Sequence, residues 1–174
     1  VLYIGGAFND DDARLSDATC TALQLANFWQ DVARDLAIGR IYLPREDRAR
    51  FGYGDDDLRA LRFTPAFAEL LKFEIARTRE LFAIGRPLVT RIPSELAVDV
   101  DLFSRGGLAI LRRIEKCGYD VLSSRPSLSK AAKARLLGRA AIGLARARLW
   151  GSRPPRPSST LNRESTAAGW ESSR

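Results

Sequence analysis

No histidine occurs in this chain of 174 residues. That absence removes the commonest general base, every Ser-His-Asp nucleophile arrangement and every zinc site built on imidazole. A metal held here is expected to be a hard cation bound through oxygen, with magnesium the natural choice. The two cysteines, Cys20 and Cys117, are too few for a disulfide framework. Both fall in helix-like patterns, where a thiol is expected as a small buried apolar group. No segment approaches the ~18–20 apolar residues of a membrane span, and the start has no signal-peptide pattern, so a cytoplasmic setting is expected. Alternating strand patterns are missing. So is a glycine-rich dinucleotide fingerprint, since Gly106-Gly107 stands alone. Methionine is also absent and the chain opens at Val1, from which we expect a fragment without its native N-terminal part.

What is present is positive charge and helical periodicity. Lys and Arg number 28 against 21 Asp and Glu, a formal net charge of +7. This permits a nucleic-acid, anionic-lipid or diphosphate partner without choosing among them. Lys130, Lys133, Arg135, Arg139, Arg146 and Arg148 share a stretch with no acid. It reads as a basic helix that is either a solvated face or a contact with an anionic membrane surface. No nucleic-acid motif accompanies it, and no nucleic-acid partner is expected.

Along the chain, the opening to Leu15 reads as the end of an earlier helix and an acidic loop. Ser16 can cap a helix from about Asp17 to Ala37 or Ile38, with Gly39 just past its end. Residues 40–62 read as a loop with short helical turns. Thr64-Pro65 is a cap and first-turn proline, opening a helix with apolar Phe67, Leu70, Leu71, Ile75 and Leu81 that Pro87 or Pro93 closes. Ser94 starts a helix reaching Lys116, stopped by Gly118, and the basic helix spans about Ser129 to Trp150. The expectation is an all-α helical bundle over residues 1–150. The Pro- and Ser-rich segment 151–174 is expected to be a disordered tail.

The first helix concentrates the chemistry. At 100° per residue, Gln24, Asn27, Asp31 and Asp35 fall within an arc of about 80°, with Cys20 near the same stripe. Leu25, Trp29, Val32 and Leu36 gather on another side. Asp31 and Asp35 are like charges one turn apart, which costs a few tenths of a kcal/mol unless something compensates. A divalent ion would reverse that sign, because two carboxylates and an amide oxygen suit magnesium, with water and phosphate oxygens filling the rest. The rival reading is a solvated polar face in which Arg34 pairs with Asp31 across one turn. Spacing alone leaves both open. Phe73, Phe82 and Phe103 read as core aromatics.

The string QLANFWQDVARD followed by GRIYLPRED resembles the second aspartate-rich motif of the squalene/phytoene synthase family. These are all-helical, magnesium-dependent prenyl-diphosphate enzymes of the class I isoprenoid synthase fold. NFWQD and the later RGGLAIL and IEKCGYDVLSSRP are most similar to the hydroxysqualene synthase branch of bacterial hopanoid biosynthesis, and the likeness runs from Val1 to about Ala145. The resemblance implies that Asp31 and Asp35 are the catalytic pair and the acidic ligands of a diphosphate-bound magnesium. Asn27 would join them at the metal and Gln24 would contact substrate. Arg40 and Tyr42, from the GRxYLP segment, would line or close the cavity near the diphosphate. Arg34 would serve the diphosphate or pair with Asp31, and Phe28 would face a cationic isoprenoid intermediate.

Many phytoene synthase-like members carry Arg immediately before the first aspartate of the motif, where this chain has Gln30. The family's first aspartate-rich helix is expected upstream of Val1, since Asn9 to Arg14 (NDDDAR) reads as solvated loop. The implied reaction converts presqualene diphosphate to hydroxysqualene by ionisation, cation rearrangement and water capture. Its rivals are condensation of two prenyl diphosphates to presqualene diphosphate, squalene or phytoene, and a non-catalytic helical lipid-surface module. A prenyl diphosphate is thus the expected partner, with peripheral contact at the inner face of the plasma membrane.

Overall fold

The structure, a computed structural model, describes residues 9–150, and their side chains except at 144 and 146–150. The opening segment 1–8 and the expected tail 151–174 lie outside the described residues. Among those described, every regular element is helical: α1 (Asp10–Ala37), α2 (Arg45–Arg50), α3 (Asp55–Arg59), α4 (Pro65–Gly85), α5 (Ser94–Lys116) and α6 (Lys130–Trp150), with a 3-10 turn at Arg86–Thr90. Among the described residues no helix is long and apolar enough to cross a membrane.

Helix α1 begins at Asp10 rather than Asp17, which corrects the reading of NDDDAR as solvated loop. Asn9 is the cap, its side chain accepting a 2.8 Å hydrogen bond from the Asp12 amide. Asp10, Asp11 and Asp12 fill the first turn, where carboxylates meet the positive end of the helix. Asp12 is buried and ion-paired with Arg91 from the turn before α5, at 2.5 Å. The acidic triplet is therefore a helix start, and Ser16 lies inside the helix. At the other end Gly39 adopts a left-handed φ of +76°, and the amides of Gly39 and Arg40 close onto Leu36 and Asp35.

The remaining boundaries follow from local chemistry. The Thr64 hydroxyl accepts from the Phe67 amide, with Pro65 in the first turn of α4. That helix ends at Gly85, before both prolines proposed as stops, because Pro87 falls inside the 3-10 turn. Helix α5 ends at Lys116, followed by Gly118 at φ +67°.

Helices α1, α4 and α5 enclose the core around Trp29, Phe67, Leu70, Leu71, Ile75, Leu111 and Ile114. Trp29 Nε1 donates to Thr78 Oγ1 at 2.8 Å, and that hydroxyl donates to the Glu74 carbonyl, so the buried indole is satisfied. Gly85 packs against Leu15 and Thr19. Together with the Trp29–Thr78 bond, this makes α1 and α4 antiparallel.

Four core expectations change. Cys20 is exposed because it continues the outward stripe of Gln24 and Asn27, and Cys117 is only partly buried. Phe82 is buried, whereas Phe103 is 60% exposed on a part of α5 that no described element covers. Phe73 is half-buried, with Arg50 and Arg77 over its ring.

Candidate active site

The polar stripe of α1 opens to solvent at Gln24 and Asn27 and turns inward at Asp31 and Asp35, which are half-buried. Neither Gln24 nor Asn27 makes a side-chain hydrogen bond among the described residues. Asp31 is held by a residue far away in sequence. Arg125 Nε meets Asp31 Oδ1 at 2.5 Å and Arg125 Nη2 meets Oδ2 at 2.8 Å, a bidentate pair. Arg34 adds a weaker contact across one turn at 3.5 Å, as anticipated for the pairing alternative. The Arg125 hydrogen bonds hold the Asp31 carboxyl below its usual range, and Asp31 raises Arg125 in return.

Gln30 explains how Arg125 arrives there. Its side chain is buried; Oε1 accepts from Arg125 Nη2 at 3.1 Å and Nε2 donates to the Pro126 carbonyl. One amide thus ties the 125–126 segment to α1 by both of its ends. Read from the sequence, Gln30 registers only as the absence of an arginine. The structure makes it the anchor that delivers an arginine from the far side of α5.

Asp35 and Arg125, the partner of Asp31, line different spaces. A groove of about 320 Å³ runs between α1, α5 and the 125–128 segment, lined by Leu23, Asn27, Gln30, Ile110, Arg125 and Lys133 among others. One turn on, Asp35 joins Phe28, Arg40, Tyr42, Leu43 and Leu58 around a cleft of about 10 Å³, room for a single water. There the Phe28 and Tyr42 rings stack with centroids 3.7 Å apart and planes within 4°. Of the residues singled out in advance, Asn27 lines the groove, and Asp31 is linked to it only through Arg125. Phe28, Asp35, Arg40 and Tyr42 line the cleft, while Gln24 and Arg34 are exposed.

Among the described residues no three carboxylates or thiols gather to hold a metal ion. The donors on α1 nonetheless fit magnesium in kind: two carboxylates one turn apart and a nearby amide, all hard oxygen donors. The Arg125 guanidinium occupies both Asp31 oxygens, so a metal ion at this carboxylate would have to share it with Arg125 or displace it.

Residues 1–132 match the squalene/phytoene synthase family. The chain belongs to that family. It is 33% identical over 104 residues to the phytoene synthase of Arthrospira platensis, covering 60% of this chain and 34% of that protein. Against the hydroxysqualene synthase of Rhodopseudomonas palustris it is 33% identical over 115 residues, covering 65% and 39%. The solved structure of squalene synthase HpnC from Alicyclobacillus acidocaldarius superposes with a TM-score of 0.67 at 49% identity, covering 68% of this chain and 45% of that one. This family member therefore spans between about a third and a half of the length of these relatives. The all-helical architecture is that of the isoprenoid synthase fold.

Proposed function

We propose that the α1 face binds a prenyl diphosphate and that the protein converts presqualene diphosphate to hydroxysqualene. The observation that carries this is Arg125, which is paired with Asp31 and lines a groove with apolar walls, Leu23, Ile110 and Leu128. Such a site offers fixed charge to a diphosphate and an oily wall to its chain. Asp31 and Asp35, with Asn27 beside them, are the residues that would hold magnesium. When bound there, the ion supplies charge neutralisation to the departing diphosphate.

The chain's own side chains do the rest. Arg125, which lines the groove, is placed to exchange one of its Asp31 hydrogen bonds for a diphosphate oxygen, while Arg40 lines the separate cleft beside Asp35. Gln30 keeps Arg125 in register. The apolar walls exclude water while positive charge migrates along the hydrocarbon, and the stacked Phe28–Tyr42 pair lines the cleft beside Asp35, apart from that groove. Late entry of one water then gives an alcohol.

The relative named phytoene synthase matches at the same 33% identity as the one named hydroxysqualene synthase. That equality favours a second reading, condensation of two prenyl diphosphates. Mass spectrometry of products from presqualene diphosphate and from farnesyl diphosphate separates the two. Only water capture adds oxygen to the C30 skeleton, so an oxygen-free hydrocarbon sinks the preferred reaction. Loss of product in Asp35→Asn assigns the chemistry to this face. Substrates and products of either reaction are lipids, which suits a cytoplasmic protein meeting the membrane peripherally through its basic last helix.

A further inference from the structure

A second groove, of about 590 Å³, lies between α5 and α6. Its rim carries Arg112, Arg113 and Lys116 from α5 and Arg135 and Arg139 from α6, and no acid lines it. All five cations are exposed, and none forms an ion pair among the described residues. Arg113 and Lys116 sit in the last turn of α5, where cations complement the helix end. That structural role leaves Arg112, Arg135 and Arg139 unexplained. Like charges gathered on two facing helices repel unless an anion lies between them.

We propose that this groove docks the protein on the anionic phospholipid headgroups of a membrane. Three features select a lipid surface. The floor is apolar, with Ala109, Leu128 and Leu136, and Ile142 stands 60% exposed on the stripe of Arg135 and Arg139. Cations beside a protruding aliphatic side chain form an interfacial pattern. No aromatic side chain lines the groove, so it lacks the stacking platform of a single-stranded nucleic-acid site. The cations are spread over two helices at full exposure, which suits a broad charged surface rather than one enclosed phosphate.

The groove also shares Ser127 and Leu128 with the groove lined by Arg125. Docking here would set the entrance for a lipid substrate against the lipid that carries it, a consequence that rests on the prenyl-diphosphate reading above.

The test is cosedimentation of the purified protein with phosphatidylcholine vesicles, with and without phosphatidylglycerol, across a salt series. Binding is expected only with the anionic lipid and is expected to weaken as salt rises. Each cation near the surface contributes about fivefold in affinity, so a combined Arg112→Gln, Arg135→Gln and Arg139→Gln variant should bind on the order of a hundredfold more weakly. Circular dichroism of that variant, expected unchanged, separates lost docking from lost folding. Equal binding to neutral vesicles overturns the proposal, as does undiminished binding by a folded triple variant. So does binding of an oligonucleotide or of inorganic diphosphate that is tighter than vesicle binding at the same salt and is lost in the triple variant. Asp31→Asn is expected to abolish turnover and leave vesicle binding intact, so failure of docking and failure of the catalytic reading are separate results.

Discussion

Replacing Arg125 by glutamine should separate a catalytic arginine from a structural one. The structure gives Arg125 two hydrogen bonds to Asp31 and one to Gln30. Bonds to charged groups reach roughly 1.5–3 kcal/mol when sheltered. Here the side chains of Arg125 and Asp31 are 40% and 21% exposed, and solvent screening reduces the pair to about 1 kcal/mol. Arg125→Gln should therefore lower the unfolding free energy by about that amount, leaving Gln30 and Pro126 in contact. If Arg125 stabilises the departing diphosphate, the loss in kcat is much larger, on the order of 10²–10³.

Arg125→Lys keeps the charge without the two-pronged geometry and should fall between. Urea denaturation and diphosphate-release kinetics on the same preparations read the two effects. Asp31 supplies an internal check. Its carboxyl is lowered by Arg125, so the pair's stability is present above the unfolded value of 3.8 and is lost as pH falls through the lower folded one. In Arg125→Gln that acid loss should largely disappear, because the pair that supplies it is gone. A variant with kcat within about threefold of the parent would refute the role given to Arg125.

Glu74 predicts the opposite pH dependence. Burial, then its hydrogen bond with Asp47, raises its carboxyl from 4.5 to about 7. The protonated form is favoured in the fold, so this contribution is complete below the unfolded value and is lost as pH rises through the folded one. The denaturation midpoint should drop between about pH 4.5 and about pH 7 in the parent, and Glu74→Gln should remove that drop; a parent midpoint that rises over the same range contradicts the assignment. At the α1–α4 crossing, a Cβ on Gly85 would lie 2.1 Å from Thr19 Oγ1 and 2.9 Å from the Leu15 carbonyl. Gly85→Ala should cost about 1–3 kcal/mol; an unchanged melting temperature would show that the helices separate freely there.

How much of this was legible in the sequence depended on the range of each interaction. Thr64-Pro65 and Ser94 to Gly118 delimit helices through contacts within a few residues, and the structure follows them. NDDDAR was misread because the same letters serve a solvated loop and a capped helix start. The decision rests on Arg91, which lies beyond α4 and pairs with the buried Asp12. Phe103 was misread for the complementary reason. Its position on α5 matches the core stripe, but burial depends on whether another element covers it.

The Asp31–Asp35 spacing was visible, whereas the asymmetry between the two carboxylates was not. Asp31 takes its partner from a residue 94 positions away. The only local trace of that contact is Gln30, whose amide ties Arg125 and Pro126 to α1. An arginine next to the motif would have announced anion binding from sequence alone. A glutamine there can deliver an arginine from elsewhere, because its amide donates and accepts at once and is nearly buried in doing so. A missing charge in a motif thus does not mean a missing charge in the site. A buried amide next to a carboxylate is a reason to look for a cation on another element.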